Sequence, residues 1–182
     1  MSLTVNITGL TEALADLRAT ASEIDKACVK AVNEAASEIR RKLLVSAMSA
    51  RTGIDPKLLT QRIYIRRATA GRAEASIAPS SAGIEVTNYD WHYTPVPGSV
   101  TRAQIKVKWI TGIKIAAGFV NPHGKQKLPL RTRTDGGKPY RPHEALGPSA
   151  AAQFKALVDS GVRQSAQDIL RRQFDKALRN LK

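Results

Sequence analysis

The chain has 182 residues, 42% of them hydrophobic, and carries 29 Lys and Arg against 15 Asp and Glu, a formal net charge of +14. That length suits one domain with a real core. No apolar run approaches the ~20 residues of a membrane span, the first residues lack the basic and apolar regions of a signal peptide, and the single cysteine, Cys28, excludes an intramolecular disulfide and fits a soluble protein made in a reducing cytoplasm.

Leu3, Val5 and Ile7 alternate with polar residues, which predicts a short strand ended by Gly9. Thr11 is a fair helix N-cap. Leu14, Leu17, Ala21, Ile24, Cys28, Ala31, Ala35, Ile39 and Leu43 then follow in steps of three and four. They define one apolar helix face over residues 11–50, with room for a kink at 19–22. Cys28 on that face reads as a small core residue. Asp55-Pro56 starts a short helical turn with Asp as cap and Pro at the first position. Residues 62–67 alternate charged and apolar side chains, turn at Ala70-Gly71 and return over 72–78, a hairpin. Ile84-Glu85-Val86 predicts another short strand.

Residues 89–99 read as a loop holding Tyr89, Trp91 and Tyr93. These aromatics either cover one end of the sheet or anchor a subunit contact, together with Leu43 and Leu44 on the long helix. A second hairpin is predicted over 103–110 and 113–120, with Ile105, Val107 and Trp109 on one face and Lys106 and Lys108 on the other. Residues 128–132 predict an edge strand containing Pro129. Residues 133–149 read as an irregular basic Gly/Pro loop. From Ala150 a helical stripe resumes through Phe154, Leu157, Val158, Val162, Ile169, Leu170, Phe174, Ala177, Leu178 and Leu181, with a bend allowed at Gly161. The expected fold is α+β: one domain over residues 1–182, an antiparallel β-sheet packed with a long N-terminal helix (9–50) and a C-terminal helix (150–182), the strands lying within 61–132 and the loop at 133–149.

Charge is concentrated. Residues 1–50 hold six bases and six acids, 51–144 sixteen and six, and the remainder seven and three. Arg102, Lys106, Lys108, Lys114, Lys125, Lys127, Arg131 and Arg133 form a candidate DNA-facing strip, with Lys114 near Lys106 and Lys108 if the hairpin register allows. Such a field repels itself unless it faces something negative, and phosphate contact through it is independent of sequence. The same residues also suit a solvated face that keeps a basic protein soluble. The aromatics do not interleave with the strip, so single-strand stacking is not supported.

Chemistry finds little footing. His92, His123 and His143 fall in predicted loops without metal-ligand spacing. Asp90 with His92, or Glu144 with His143, are the only pairings from which a metal-dependent nuclease site can be drawn. There is no nucleotide-binding loop and no nucleophile elbow, and Gly136-Gly137-Lys138 reads as a turn.

One run of segments resembles a family. Ile115-Ala116-Ala117-Gly118-Phe119-Val120, then Lys127-Leu128-Pro129-Leu130, then Leu146-Gly147-Pro148-Ser149 is similar to the minor tail protein Z family of lambda-like phages and prophages. There an AFVA-like strand precedes an RLPI-like segment and an LxGPS-like ending. Here Lys-Leu-Pro-Leu replaces Arg-Leu-Pro-Ile, and the stretch 132–144 is longer and more basic than in that pattern. The resemblance implies a non-enzymatic virion tail protein, made in the bacterial host cytoplasm, that acts in tail completion and head–tail joining. It implies a ring at the head-proximal tail end around the DNA path. Its partners would be further copies of itself, the tail tube or tail terminator, head-completion proteins and the passing DNA, with no cofactor, catalytic residue or membrane. The competing expectation is a sequence-independent nucleic-acid-binding protein that uses the basic region 102–143.

Overall fold

The computed structural model describes residues 10–99, 103–123, 125, 127–133 and 141–180. The predicted strand at Leu3–Ile7, Arg102 and the Gly136-Gly137-Lys138 turn lie outside the described residues. The fold is α+β, with helices packed on one face of an antiparallel sheet.

The long N-terminal helix begins as α1 (Leu10–Glu38), widens to a π-helical segment (Ile39–Val45) and continues as α2 (Ser46–Thr52). The irregularity sits there rather than at 19–22. A π turn holds more residues than an α turn. The buried stripe therefore steps from Ala31 and Ala35 to Leu44 and Met48, and Leu43 is left half-buried. Towards the N-terminus the expected apolar face opens to solvent, since Ala21 and Ile24 are exposed. Helix α3 (Pro56–Arg62) is capped as its sequence requires, with Asp55 accepting from the Lys57 amide at 2.7 Å.

Strands β1 (Ile63–Arg66) and β2 (Ser76–Pro79) form a two-stranded hairpin of their own. Asn33 ties its far end to α1. The Asn33 amide donates to the Ala68 carbonyl at 3.0 Å and accepts from the Ala68 amide at 2.9 Å, as a paired strand would.

The main sheet runs β3 (Ile84–Glu85), β9 (Leu146–Gly147), β6 (Gly112–Val120), β5 (Ala103–Trp109) and β4 (Trp91–Pro95). Strands β7 (Leu130–Arg133) and β8 (Arg141–Glu144) extend from β6. The sheet differs from the expected one in three places. The aromatic loop at 89–99 contains an edge strand, because Trp91 and Tyr93 alternate with polar residues and pair with Val107 and Ile105. The irregular stretch 133–149 contains β8 and β9, each too short to show a period. His92 and His143 therefore lie on strands, and only His123 lies in a turn.

The inner sheet face carries Ile105, Val107, Ala116 and Val120 against Leu44, Met48, Ile54, Leu59 and Ile63. At roughly 1.5–3 kcal/mol for each fully buried aliphatic side chain, this layer is what drives the helices onto the sheet. The C-terminal helix breaks at Val158 into α4 (Ala150–Leu157) and α5 (Ser160–Arg179), ahead of Gly161, because Asp159 caps α5 through the Val162 amide. Among the described residues no helix is long and apolar enough to cross a membrane.

Helix α5 runs antiparallel to α1, held at Glu38. Its carboxylate receives Lys42 at 2.7 Å, Arg172 at 2.8 Å and the Gln173 amide at 2.8 Å. Lys42, with Gln173 and Arg172, holds the Glu38 carboxyl down at about 2. The carboxylate's contribution is complete above the ordinary carboxyl value of 4.5 and is lost as pH falls through about 2. Glu38→Gln should therefore lower stability at neutral pH. The loss should be on the order of 1 kcal/mol, because Lys42 and Arg172 are more than half exposed. Thermal melts of both proteins should converge as pH is taken from 4.5 towards 2. A gap that persists at low pH would contradict this account.

Candidate functional site

The register of the central hairpin divides the basic strip. Lys106 pairs with Ile115, Lys108 with Ile113 and Val107 with Lys114. Directly opposed residues share a sheet face. Lys106 and Lys108 therefore lie on the outer face, whereas Lys114 lies on the face that buries Val107. Lys114 stands at the margin of that face with its Nζ 4.7 Å from the centroid of Trp109. Trp109, expected in the core, is half-buried and shares its ring between the core and this ammonium, a contact worth about 0.5–1 kcal/mol at an exposed site. The register thus separates Lys114 from Lys106 and Lys108.

The remaining bases are dispersed. Lys108 lies 3.3 Å from Asp90 with both side chains half exposed, a pair worth at most about 1 kcal/mol. Lys125 and Lys127 are exposed in the loop after β6. Arg131 and Arg133 occupy β7, opposite His143 and Arg141 of β8 in register.

The residues considered for a subunit contact also separate. Tyr89 and Leu44 are 5% and 2% exposed and belong to the core of the chain itself. They leave no surface for a neighbour. The π segment is what turns Leu44 inward. Trp91, Tyr93 and Leu43 are half-buried, the two aromatics packed along the margin of the core on β4.

Neither histidine–carboxylate pairing assembles into a metal site. Asp90 is engaged by Lys108. Glu144 lies against Glu85, whose carboxyl shares a hydrogen bond with it and whose charge pushes its protonation upward. Among the described residues there is no group of three or more His, Cys, Asp or Glu that could hold a metal ion.

The segments that carry the family-like pattern converge on one junction. A Cβ at Gly118 (φ +142°) would meet the Leu130 carbonyl at 2.5 Å, with Ala145 and Ile105 each at 3.0 Å. The buried Pro129 accepts from the Ala145 amide at 2.9 Å through its carbonyl. Gly147 lies under the Tyr89 ring, which a Cβ would meet at 2.8 Å. The Tyr89 hydroxyl donates to the Pro148 carbonyl and accepts from Gln153 Nε2 at 3.0 Å. Ser149 caps α4 through the Ala152 amide at 3.2 Å. Burial raises the Tyr89 hydroxyl well above its usual range, against the opposing effect of the Gln153 bond. Gln153 is wholly buried, and its Oε1 has no partner among the described residues. Sequence reading missed the Tyr89–Gln153 pair, because nothing local distinguishes a buried Gln on a helix of alternating character.

The family model for prophage minor tail protein Z (GPZ) matches residues 7–181 of the chain. No curated protein and no solved structure matches it.

The junction makes two stability predictions. Gly118→Ala should cost more than about 1 kcal/mol, because the methyl enters occupied space at a backbone angle L-residues avoid. Tyr89→Phe should cost about 1–3 kcal/mol by leaving buried polar groups unpaired. Both are read as shifts in the denaturant midpoint. An unshifted midpoint for Gly118→Ala would mean that β6 and β7 do not approach as described.

Proposed function

The chain belongs to the prophage minor tail protein Z family, whose members are structural tail proteins without catalytic activity, and on that footing we propose that it completes the tail at its head-proximal end as one subunit of a ring around the DNA path. Membership over nearly the whole chain carries the tail-associated part of this reading. The ring and its lumen are supported by the charge distribution. A net charge of +14 on each copy is self-repelling, and a negative polymer enclosed by the copies would offset it.

Within such a ring the lumen is assigned to the loop that follows β6, with Lys125 and Lys127 exposed on it and the Arg131 and Arg133 positions on the adjoining β7. Lys125 and Lys127 are exposed, and among the described residues of this loop the large apolar side chain that shares their exposure is Leu128. Contacts of this kind hold a phosphate backbone without reading its sequence. Partners in this reading are further copies of the chain, the tail tube or tail terminator, and head-completion proteins.

The test is to mix the purified protein with tails that lack it and to score attachment by electron microscopy and head joining by infectivity. Attachment at the head-proximal end with recovery of infectivity is expected. Absence of attachment, alongside strong salt-dependent DNA binding by the free chain, would replace this reading with that of a nucleic-acid-binding protein acting outside the particle. The double reversal Lys125→Glu/Lys127→Glu should leave folding and attachment intact and should lower infectivity or DNA retention. Particles of normal infectivity from that variant would remove these lysines from the lumen.

A further inference from the structure

The outer face of the main sheet has a composition that neither solvent nor a phosphate backbone explains. Ile113 and Ile115 point outward at 64% and 60% exposure. They sit directly opposite Lys108 and Lys106, and Lys106 in turn is opposite His92 on the edge strand β4. Across the sheet, the register carries the same face from Ala117 to Leu146 and from Leu146 to Glu85. Glu85 is exposed on the edge strand β3, and the exposed Glu144 lies against it. The face therefore grades from a carboxylate pair at the β3 edge, through the apolar Ile113 and Ile115 on β6, to the Lys106–Lys108 row on β5, one strand in from the β4 edge. Helices cover the opposite face, which holds Ile84, Ile105 and Val107.

We propose that this face is the contact between copies of the chain, with the Lys106–Lys108 row of one copy seated on the Glu85–Glu144 edge of the next and Ile113 and Ile115 covered between them. The occupant follows from charge complementarity, since the opposite charges lie on opposite sides of the apolar centre of one surface. An apolar centre ringed by charge is the ordinary anatomy of a protein interface, in which the charges set orientation and register. Two carboxylates held together at one edge repel each other, and a neighbouring ammonium relieves that repulsion. Lys108 already has Asp90 at 3.3 Å, so Lys106 contributes the greater part of the unspent charge. When each copy offers its lysine row to one neighbour and its carboxylate edge to another, the contact is heterologous and closes into a ring where the rotation allows; when two copies meet about a two-fold axis, both pairings form within a closed dimer. Only the ring closure rests on the function proposed above.

The experiment is sedimentation velocity on the full chain and on two variants, Lys106→Glu/Lys108→Glu and Glu85→Lys/Glu144→Lys, over a wide concentration range. Each variant alone presents like charges on both sides of the apolar centre, and its self-association should weaken by about tenfold or more. An equal mixture restores opposite charges at every contact and should associate like the unmodified chain. Ile113→Ser/Ile115→Ser, at exposed positions that leave the fold intact by circular dichroism, should also weaken association. Recovery in the mixture supports the contact. A mixture that forms only two-copy species would uphold the contact and overturn the ring. Variants that associate as well as the unmodified chain would overturn the contact and leave a ring built through another surface. An unmodified chain that remains monomeric at every concentration would overturn the proposal.

Discussion

Pairing of Val107 with Lys114 sets the faces of the β5–β6 hairpin, and most surface properties of the chain depend on it. Side chains alternate along a strand with a period of two, so a slip of one residue would exchange every inward and outward position. Lys106 and Lys108 would then enter the layer now filled by Ile105 and Val107, which are wholly buried. Burying two unpaired ammonium groups costs far more than the hairpin can return. The observed register is therefore the one the core permits. It leaves two isoleucines in water on the outer face, and solvent gives no return for that exposure.

Apart from Lys127, the family-like segments do a different job from the basic residues. Gly118, Pro129, Gly147, Pro148 and Ser149 all meet where β6, β7 and β9 hand the chain over to α4. Two of these positions need glycine because another group occupies the place of a side chain. A third supplies a carbonyl to Tyr89, and the last supplies a helix cap. The motif is thus a recipe for joining a sheet to its C-terminal helix.

Away from the sheet, the chain relies on polar clamps at helix margins. Glu38 gathers three donors and holds α5 on α1, and Asn33 holds the β1–β2 hairpin to the same helix. Both clamps lie where the apolar contact thins out, so directional bonds take over from burial as the source of order. The N-terminal half of the long helix, with Ala21 and Ile24 exposed, has α5 as its main neighbour within the chain.

Periodicity along the chain was enough to determine the α+β class, the long helix, both hairpins, the Asp55-Pro56 start and the C-terminal helical region, because each is a local pattern of side chains that water sorts in the same way in any context. Composition alone determined the basic middle of the chain. The tertiary structure decided what those patterns face. The π segment changed the helix stripe from Leu43 to Leu44 through backbone hydrogen bonding that leaves no mark on apolar spacing. Strand pairing put Lys114 on the opposite face from Lys106 and Lys108, turned Tyr89 into a core residue, and brought Glu85 against Glu144. Each of these depends on which distant residues lie side by side. That is fixed by register and packing across the whole domain, and no window along the chain contains it.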